Sequence, residues 1–234
     1  PRKLFFHCTI APQQNGETPT VDWRAVWRDL PPAMRERFSA QGVRYIRNYE
    51  GPQSPKSRDL WQLKRWDELF SSSDPAVVEQ KAAEQGLQCE WLPQGRLRLV
   101  NTGPASRVHP VTGETAWFNH TQVFHVAAAA LEYHRIRRHQ KNLRAVFFDA
   151  LTTSLTALKQ RLKAPLQQPM HATYGDGSEI ALHDVRALVE AIWQHLVIEP
   201  WQVGDVLAID NRSTGHGRLP YQGPREVLVA WTGT

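Results

Sequence analysis

Residues 206–231 read VLAIDNRSTGHGRLPYQGPREVLVAW, with two apolar segments on either side of a polar connection. Residues 206–210 and 225–231 are rich in β-branched and other apolar side chains, which is typical of strands. Glycine and proline recur between these segments and mark turns. This part of the chain is therefore predicted to consist of strands and turns.

The rest of the chain combines similar short strands with helices. Short strands interrupted by helices indicate a mainly β fold with α-helices, either a β-barrel or a jelly roll with the helices outside it. Because the sequence has neither an internal repeat nor a low-complexity linker, residues 1–234 are predicted to form one domain. The further strand candidates are residues 3–8, 43–49, 87–91, 96–100 and 115–119. Helical material is predicted for residues 127–166, and a helix is predicted for residues 183–195.

The composition is that of a folded chain. Its 234 residues include 28 Lys and Arg against 23 Asp and Glu, a net charge of +5, and 41% are hydrophobic, which excludes disorder throughout. The longest apolar run, residues 126–131, is too short to span a bilayer, so we expect a cytoplasmic protein without membrane partners. Cys8 and Cys89 form no C-x-x-C pair and give no support to a disulfide scaffold or a cysteine-ligated zinc site.

The basic charges are dispersed except at residues 134–141, which read HRIRRHQK. Such a cluster fits a solvated helix face or a patch for an acidic partner such as a nucleic acid. No recognised nucleic-acid-binding motif accompanies it. We therefore favour the solvated face, and nucleic-acid binding is the least favoured function.

His216 and Arg225 offer the most specific chemistry in the C-terminal stretch. If a hairpin turn is centred on Pro220 and Tyr221, the two side chains lie opposite each other on antiparallel strands. Imidazole suits a first-row transition metal, and a guanidinium holds a carboxylate through two hydrogen bonds. Together they suggest a metal with a carboxylate ligand. The alternative is a surface histidine and an arginine paired with an ordinary acidic side chain.

A set of short motifs occurs in a fixed order between Leu4 and Ala230. The motifs are Gly16-Glu17-Thr18-Pro19, His109-Pro110-x-Thr112-Gly113-Glu114, Trp117-Phe118-Asn119, Gly175-Asp176-Gly177, Trp201-Gln202-x-Gly204-Asp205, Asp210-Asn211 and His216-Gly217-Arg218 through Arg225. This ordered set resembles the taurine dioxygenase/TfdA-like family, and within it the SyrP-like branch of peptide-antibiotic biosynthesis.

The resemblance implies an iron(II)- and 2-oxoglutarate-dependent oxygenase on a double-stranded β-helix, which is a jelly roll. Enzymes of this kind hold Fe(II) with a His-x-Asp or His-x-Glu pair and a distal histidine, which His216 matches. Arg225 matches the residue that grips the distal carboxylate of 2-oxoglutarate, and Thr18 matches a hydroxyl that assists it.

The resemblance also implies the reaction and the substrate class. We expect hydroxylation of an unactivated carbon of an amino acid or an amino-acid-derived substrate, free or on a carrier protein, with release of succinate and CO2. Trp117, Asn119 and Phe124 lie where the family contacts substrate, although a core position is the simpler explanation for Trp117 and Phe124 taken singly. The oligomeric state stays open, a homo-oligomer included.

None of the ten histidines is followed two positions later by Asp or Glu. In the family this pair precedes the segment that matches residues 1–6, so we expect it upstream of Pro1 and interpret the sequence as an N-terminally incomplete domain without its first strands. A small residue in place of the acid would imply a halogenase. The alternative from another class is a catalytically silent jelly-roll module that binds a carboxylate ligand or a partner protein.

Three other polar features receive structural interpretations. His120 and His125 are predicted to be packing or polar-network residues rather than a second metal site, because neither helical nor strand spacing places them on one face. Residues 175–178 are predicted to form a tight turn, because they lack the additional ligands of a calcium or phosphate loop. Asp205 is predicted to cap the turn at Gly204.

Overall fold

The computed structural model describes residues 1–54 and 63–233. Within these ranges all strand pairs are antiparallel. The strands are β1 (Lys3–Ile10), β2 (Gln14–Asn15), β3 (Thr20–Asp22), β4 (Val43–Tyr49), β5 (Gln88–Leu92), β6 (Arg96–Gly103), β7 (Ser106–Val108), β8 (Thr115–Trp117), β9 (Met170–Tyr174), β10 (Leu196–Val197), β11 (Val206–Asp210), β12 (Thr214–His216), β13 (Tyr221–Gln222) and β14 (Glu226–Thr232).

The helices begin and end at the expected signals. Asp22 and Asp74 each accept a hydrogen bond from a backbone N–H two residues later, as N-cap residues do. The α-helices are α1 (Trp23–Asp29), α2 (Pro32–Gln41), α3 (Trp66–Phe70), α4 (Pro75–Glu84), α5 (Thr121–Phe124), α6 (Ala128–Gln140), α7 (Leu143–Leu162) and α8 (Leu182–Gln194), and Pro93–Gly95 and Pro165–Gln167 form short 3-10 turns.

β1 is the centre of a sheet with the order β11-β1-β14, which joins the first strand of the chain to the last. Phe6 pairs with Leu207 on one side and with Val229 on the other. Alternate side chains of β1, from Leu4 to Cys8, are buried on one face, as the period of two residues in a strand requires. This buried face carries the candidate site described below.

A second sheet has the order β5-β6-β4-β9. Two apolar clusters lie along the same face of this sheet, since Val43 and Tyr49 of β4 point to one face and belong to different clusters. The larger core includes Phe38 of α2, Trp117 of β8 and Leu188 of α8. The smaller core includes Leu97 and Leu99 of β6 and residues of α3 and α4. The hairpin predicted for residues 87–100 is confirmed as β5 and β6.

The predicted hairpin that placed His216 opposite Arg225 is wrong. β12 pairs with β3, so that His216 lies opposite Thr20, and β13 pairs with β2. β14 pairs with β1 and not with β12. Pairing with the distant strands β2 and β3 is favoured over a local hairpin. These two strands are too short to be recognised from the sequence.

The helical material predicted for residues 127–166 is confirmed, and the structure divides it into α6 and α7. Lys141 ends α6 in the left-handed region with a φ of 51°, and Asn142 caps α7 by accepting a hydrogen bond from the N–H of Ala145 at 2.8 Å. The sequence has neither glycine nor proline at this break.

The structure confirms antiparallel strands combined with helices, and helices cover somewhat more of the described residues than strands do. None of the helices in the described part of the chain has the length and apolar character that crossing a membrane requires.

Candidate functional site

Arg225 lies directly before β14, and its guanidinium reaches the loop between β2 and β3. Its Nε donates a hydrogen bond to the carbonyl oxygen of Gly16 at 2.8 Å, and its Nη2 donates one to Thr18 Oγ1 at 3.0 Å. Gly16 has a φ of +79°, and a Cβ at this position would lie 2.6 Å from the Cβ of Tyr221. Glycine therefore allows the close approach of the loop, and the two hydrogen bonds fix the guanidinium.

Thr18 is 8% exposed, and its hydroxyl oxygen accepts hydrogen bonds from Arg225 Nη2 and from Trp201 Nε1, the second at 3.0 Å. A hydroxyl has two lone pairs and one proton, so both acceptor positions are used and the proton remains to be donated. Residues 1–54 and 63–233 offer no acceptor for it, and Arg225 Nη1 has no partner among them either. Within the described part of the chain, the hydroxyl proton of Thr18 and Nη1 of Arg225 are therefore two neighbouring donors without an acceptor.

The surroundings of Arg225 are positively charged. Burial lowers the pKa of Arg225, and the positive charge of Arg218 lowers it further. The two guanidinium groups lie 5.6 Å and 5.9 Å from the ring centre of Tyr221. In the described part of the chain, Arg225 has no ion pair with an acidic side chain. An anionic ligand would relieve this imbalance.

His216 is the last residue of β12. Its strand is held by the pairing with Thr20 and by a hydrogen bond from the N–H of Gly217 to the carbonyl oxygen of Pro19 at 3.1 Å. The residue is exposed, but its imidazole packs against Phe6 with ring centres 5.1 Å apart. Loss of water on that side lowers the pKa of His216, which favours the neutral imidazole that binds metals.

The structure brings His216, Arg225 and Thr18 to the same region by this route. His216 lies opposite Thr20, which is two residues after Thr18, and Arg225 donates to the hydroxyl of Thr18. His216 also contacts Phe6 on the buried face of β1.

His109 and Asp210 hold the segment that leads to His216. His109 is buried, and its Nε2 lies 3.0 Å from Asp210 Oδ2. Its Nδ1 accepts a hydrogen bond from the N–H of Thr112 at 3.1 Å, so Nε2 carries the proton and donates to the carboxylate. The N–H of Arg212 donates to Asp210 Oδ1 at 2.9 Å. This bond, followed by the one from His109, lowers the pKa of Asp210.

Comparison with known proteins gives the family. Residues 1–231 match the family described as Taurine catabolism dioxygenase TauD, TfdA family. The chain belongs to this family. The resemblance expected from the ordered motifs is thereby confirmed, and TauD/TfdA enzymes use Fe(II) and 2-oxoglutarate.

Two relatives of this TauD/TfdA chain align along nearly all of it. Dapdiamide synthesis protein DdaC of Enterobacter agglomerans is 31% identical over 230 residues, which are 98% of this chain and 60% of DdaC. A clavaminate synthase-like protein of Arabidopsis thaliana is 29% identical over 236 residues, with the same two shares. The chain thus spans 60% of the length of each relative. The crystal structure of a taurine dioxygenase from Burkholderia xenovorans is 14% identical with a TM-score of 0.42, over 98% of this chain and 51% of that one.

In this TauD/TfdA chain, the residues around Arg225 fit 2-oxoglutarate better than the residues around His216 fit an iron ion. Arg225 and Thr18 provide the donors that a carboxylate of 2-oxoglutarate needs. An iron site of this kind needs two histidines and one carboxylate. Residues 1–54 and 63–233 supply no such set around His216. The three potential metal ligands that lie close together in these ranges are His125, His171 and Glu179, and His216 is not among them.

The three residues predicted to contact substrate are all partly or fully buried. Trp117 is 0% exposed and packs edge-on against Phe38, with ring centres 5.0 Å apart. The amide of Asn119 donates to the carbonyl oxygen of Ala105 at 2.7 Å, and its oxygen accepts from the N–H of Thr121 at 2.9 Å. These contacts fit structural roles in the core and in the turn before α5.

Phe124 is half-buried and lines a cavity of about 70 Å³. The role of Trp117, Asn119 and Phe124 in substrate binding stays a prediction. Asp205 accepts a hydrogen bond from the N–H of Gln202 at 2.8 Å, so the predicted cap of the Gly204 turn is confirmed.

Sequence reasoning missed a second polar cluster, which consists of His125, His171 and Glu179. His125 follows α5, His171 lies in β9, and Glu179 follows the turn predicted for residues 175–178. No spacing rule joins residues on three separate elements. Only the burial of two histidines in one core marks the cluster, and burial is not readable from this sequence alone.

Proposed function

We propose that the protein is a non-haem Fe(II)- and 2-oxoglutarate-dependent oxygenase that hydroxylates an unactivated carbon of an amino acid or an amino-acid-derived substrate, free or on a carrier protein. The observation that carries the proposal is the pair of donors, the Thr18 hydroxyl and Arg225 Nη1, that have no acceptor among the described residues. Membership of the TauD/TfdA family supports the reaction class.

Arg225 and Thr18 would bind the carboxylate of 2-oxoglutarate that lies away from the reacting end. The guanidinium is held in place by Gly16, so little side-chain entropy is lost when the ligand binds. Hydrogen bonds between charged groups are stronger than neutral ones, and the ligand would supply the negative charge that Arg225 lacks among the described residues. Thr18 also lines a cavity of about 200 Å³ together with Trp201 and Leu207, which leaves space beside the donors.

His216 would be one ligand of the iron, whose part in this reaction class is to supply the oxygen chemistry. Two further ligands are needed, and the described residues do not supply them next to His216. The part of the reaction that belongs to the chain's own residues is to bind and orient the co-substrate and to keep water away from it.

The corresponding architecture would be a double-stranded β-helix with flanking helices. The sheet β11-β1-β14 would form part of one wall, because its buried face carries the residues next to His216 and Arg225. A relative named for dapdiamide synthesis supports a biosynthetic role and an amino-acid-derived substrate.

A catalytically silent module that binds a carboxylate ligand is the second candidate. One observation favours it, namely that His216 has no second and third metal ligand in the described part of the chain. This candidate keeps the same roles for Arg225 and Thr18 but removes any effect of iron on the affinity for the ligand.

Calorimetry and product analysis separate the two candidates. Binding of 2-oxoglutarate is measured under anaerobic conditions with and without Fe(II), on the protein together with any residues that precede Pro1. Succinate is measured after addition of air and a pool of amino acids. The oxygenase predicts that Fe(II) tightens binding by about tenfold or more, that succinate forms, and that His216→Ala removes both effects. Equal affinity with and without iron, without succinate, supports the silent module and contradicts the oxygenase. If 2-oxoglutarate does not bind at all, both candidates are wrong.

A further inference from the structure

The cluster of His125, His171 and Glu179 joins three elements of the fold. His125 directly follows α5, and His171 lies in the middle of β9, where it pairs with Ile46 of β4. Glu179 is held beside β9 by a bridge to Thr173. All three backbone positions are therefore fixed by secondary structure or by pairing, as a preorganised site requires.

The potential ligand atoms of the three side chains lie close to one another. One ligand atom from each side chain lies within 4.8 Å of the other two, and the imidazole ring centres are 5.2 Å apart. His171 Nε2 and Glu179 Oε2 are 2.8 Å apart. Tetrahedral metal–ligand bonds of about 2.0–2.1 Å separate two ligand atoms by about 3.3 Å. The His171–Glu179 pair would therefore open by about 0.5 Å, and any wider separation within the 4.8 Å limit would close.

The three side chains differ in their freedom to move. The imidazoles are buried, with His125 7% and His171 0% exposed, whereas the side chain of Glu179 is 51% exposed. The two histidines thus form a rigid pair, and the flexible carboxylate can adjust. His125 also lines the cavity of about 70 Å³ with Met170, so water can reach an open coordination position.

One buried nitrogen lacks a partner. When His171 Nε2 donates to Glu179, Nδ1 of the same ring keeps a lone pair, and no hydrogen bond to this atom is present in the described residues. A buried polar atom without a partner costs about 1–3 kcal/mol. A bound ion would take the place of the proton on Nε2, where Glu179 would bind the same ion directly.

We propose that His125, His171 and Glu179 bind one divalent first-row transition-metal ion, at a site separate from His216 and independent of the proposed function. Two imidazoles and a carboxylate suit Zn²⁺ and Fe²⁺, whereas Mg²⁺ and Ca²⁺ prefer oxygen ligands alone. The bound ion would tie α5 to β9 and to the segment before α8. The prediction that His125 has only a packing or polar-network role is revised by this proposal.

Titration with Co²⁺ tests the site, because its visible absorption reports nitrogen ligands and low coordination number. Metal is first removed from the whole chain with a chelator. Wild type is compared with Glu179→Gln and His125→Gln, and circular dichroism checks that each variant is folded. The matched control is His120→Gln, which changes an exposed histidine five positions before His125. His216→Ala is measured in addition, to separate this site from the proposed iron site.

We expect one equivalent of Co²⁺ to bind and Zn²⁺ to displace it. Glu179→Gln and His125→Gln should weaken binding by about 10- to 100-fold, and His120→Gln should stay within about twofold of wild type. The Glu179 variant keeps the test decisive if His125→Gln does not fold, since its side chain is largely in water. Absence of Co²⁺ absorption in the folded wild type, or loss of absorption in His216→Ala with retention in Glu179→Gln, would overturn the proposal.

Discussion

Arg225 donates a hydrogen bond at 3.0 Å to the hydroxyl of Thr18, a residue 207 positions earlier in the sequence. The bond exists because β14 pairs with β1 and β12 pairs with β3, so that both ends of the chain meet beside the same loop. Thr18 accepts this bond and another from Trp201, which leaves its proton for a ligand. The candidate site is thus assembled by long-range pairing and not by a local motif.

Replacement of Thr18 by Val removes the hydroxyl and keeps the shape of the side chain. We expect the affinity for 2-oxoglutarate to fall by about tenfold, because one hydrogen bond to a charged group contributes about 1.5–3 kcal/mol. The variant also removes the acceptor that Arg225 and Trp201 use in the wild type. Calorimetry measures the change. Thr18→Ser retains the hydroxyl and should stay close to wild type, and equal affinities for the Val and Ser variants would exclude a role for the hydroxyl.

Gly215 should tolerate no side chain. A Cβ at this position would lie 2.3 Å from the indole ring of Trp23, whereas a Cβ at Gly217 would come no closer than 3.6 Å to Pro19. Gly215→Ala is therefore expected to lower the free energy of unfolding by about 1–3 kcal/mol through overpacking. Urea denaturation measures this loss. Gly217→Ala is the control, and a loss of the same size in both variants would show that the contact with Trp23 is not the cause.

The strands with a clear apolar character could be predicted from the sequence, and the pairing of the short strands could not. Residues 3–8 and 226–231 belong to strands in the structure, because each has enough apolar and β-branched residues to show its tendency. β2 and β3 have only two and three residues, and nothing in so short a segment specifies a partner. The position of His216 opposite Thr20 therefore became visible only in the folded chain.

Some residues of the candidate sites could be predicted from the sequence and others could not. Thr18, His216 and Arg225 were found because they belong to ordered motifs of a known family. His171 and Glu179 lie in no motif and meet His125 only through tertiary packing. The break at Lys141 was missed because a lysine in the left-handed region carries no signal comparable to that of glycine.

The contact between His109 and Asp210 should make stability depend on acid pH. The folded-state pKa of Asp210 is lowered from its ordinary value of 3.8, first by the hydrogen bond from the N–H of Arg212 and then by His109. A lowered pKa stabilises the fold at pH values above the ordinary value, and this contribution is lost as the pH falls through the lowered pKa. We expect the stability advantage of wild type over Asp210→Asn to be full at pH 7 and to decrease below about pH 4.

Urea denaturation of both proteins at neutral and acid pH measures this advantage. If the stability difference between wild type and Asp210→Asn stays constant or grows on acidification, the ionised Asp210 carboxylate is not stabilised by Arg212 and His109.

Trp117 should behave as a core residue. It is 0% exposed and lies among the rings of Phe38 and Trp27, so Trp117→Ala is expected to cost about 3–5 kcal/mol of folding free energy. Val111, which is 87% exposed, provides the control, and Val111→Ala should change stability by less than about 0.5 kcal/mol. Thermal and urea denaturation compare them. A loss below about 1 kcal/mol for Trp117→Ala would contradict the core role and favour the role in substrate binding.

The affinity of Arg225→Gln for 2-oxoglutarate is the most direct test of the claim that Arg225 binds the carboxylate of this ligand. Calorimetry compares this variant with wild type and with Arg186→Gln, which removes an exposed arginine from α8. The account predicts that Arg225→Gln weakens binding by about 10- to 100-fold, since it removes a charged donor from the carboxylate, and that Arg186→Gln binds like wild type. If folded Arg225→Gln binds 2-oxoglutarate as tightly as wild type does, the carboxylate is held elsewhere and the central claim is wrong.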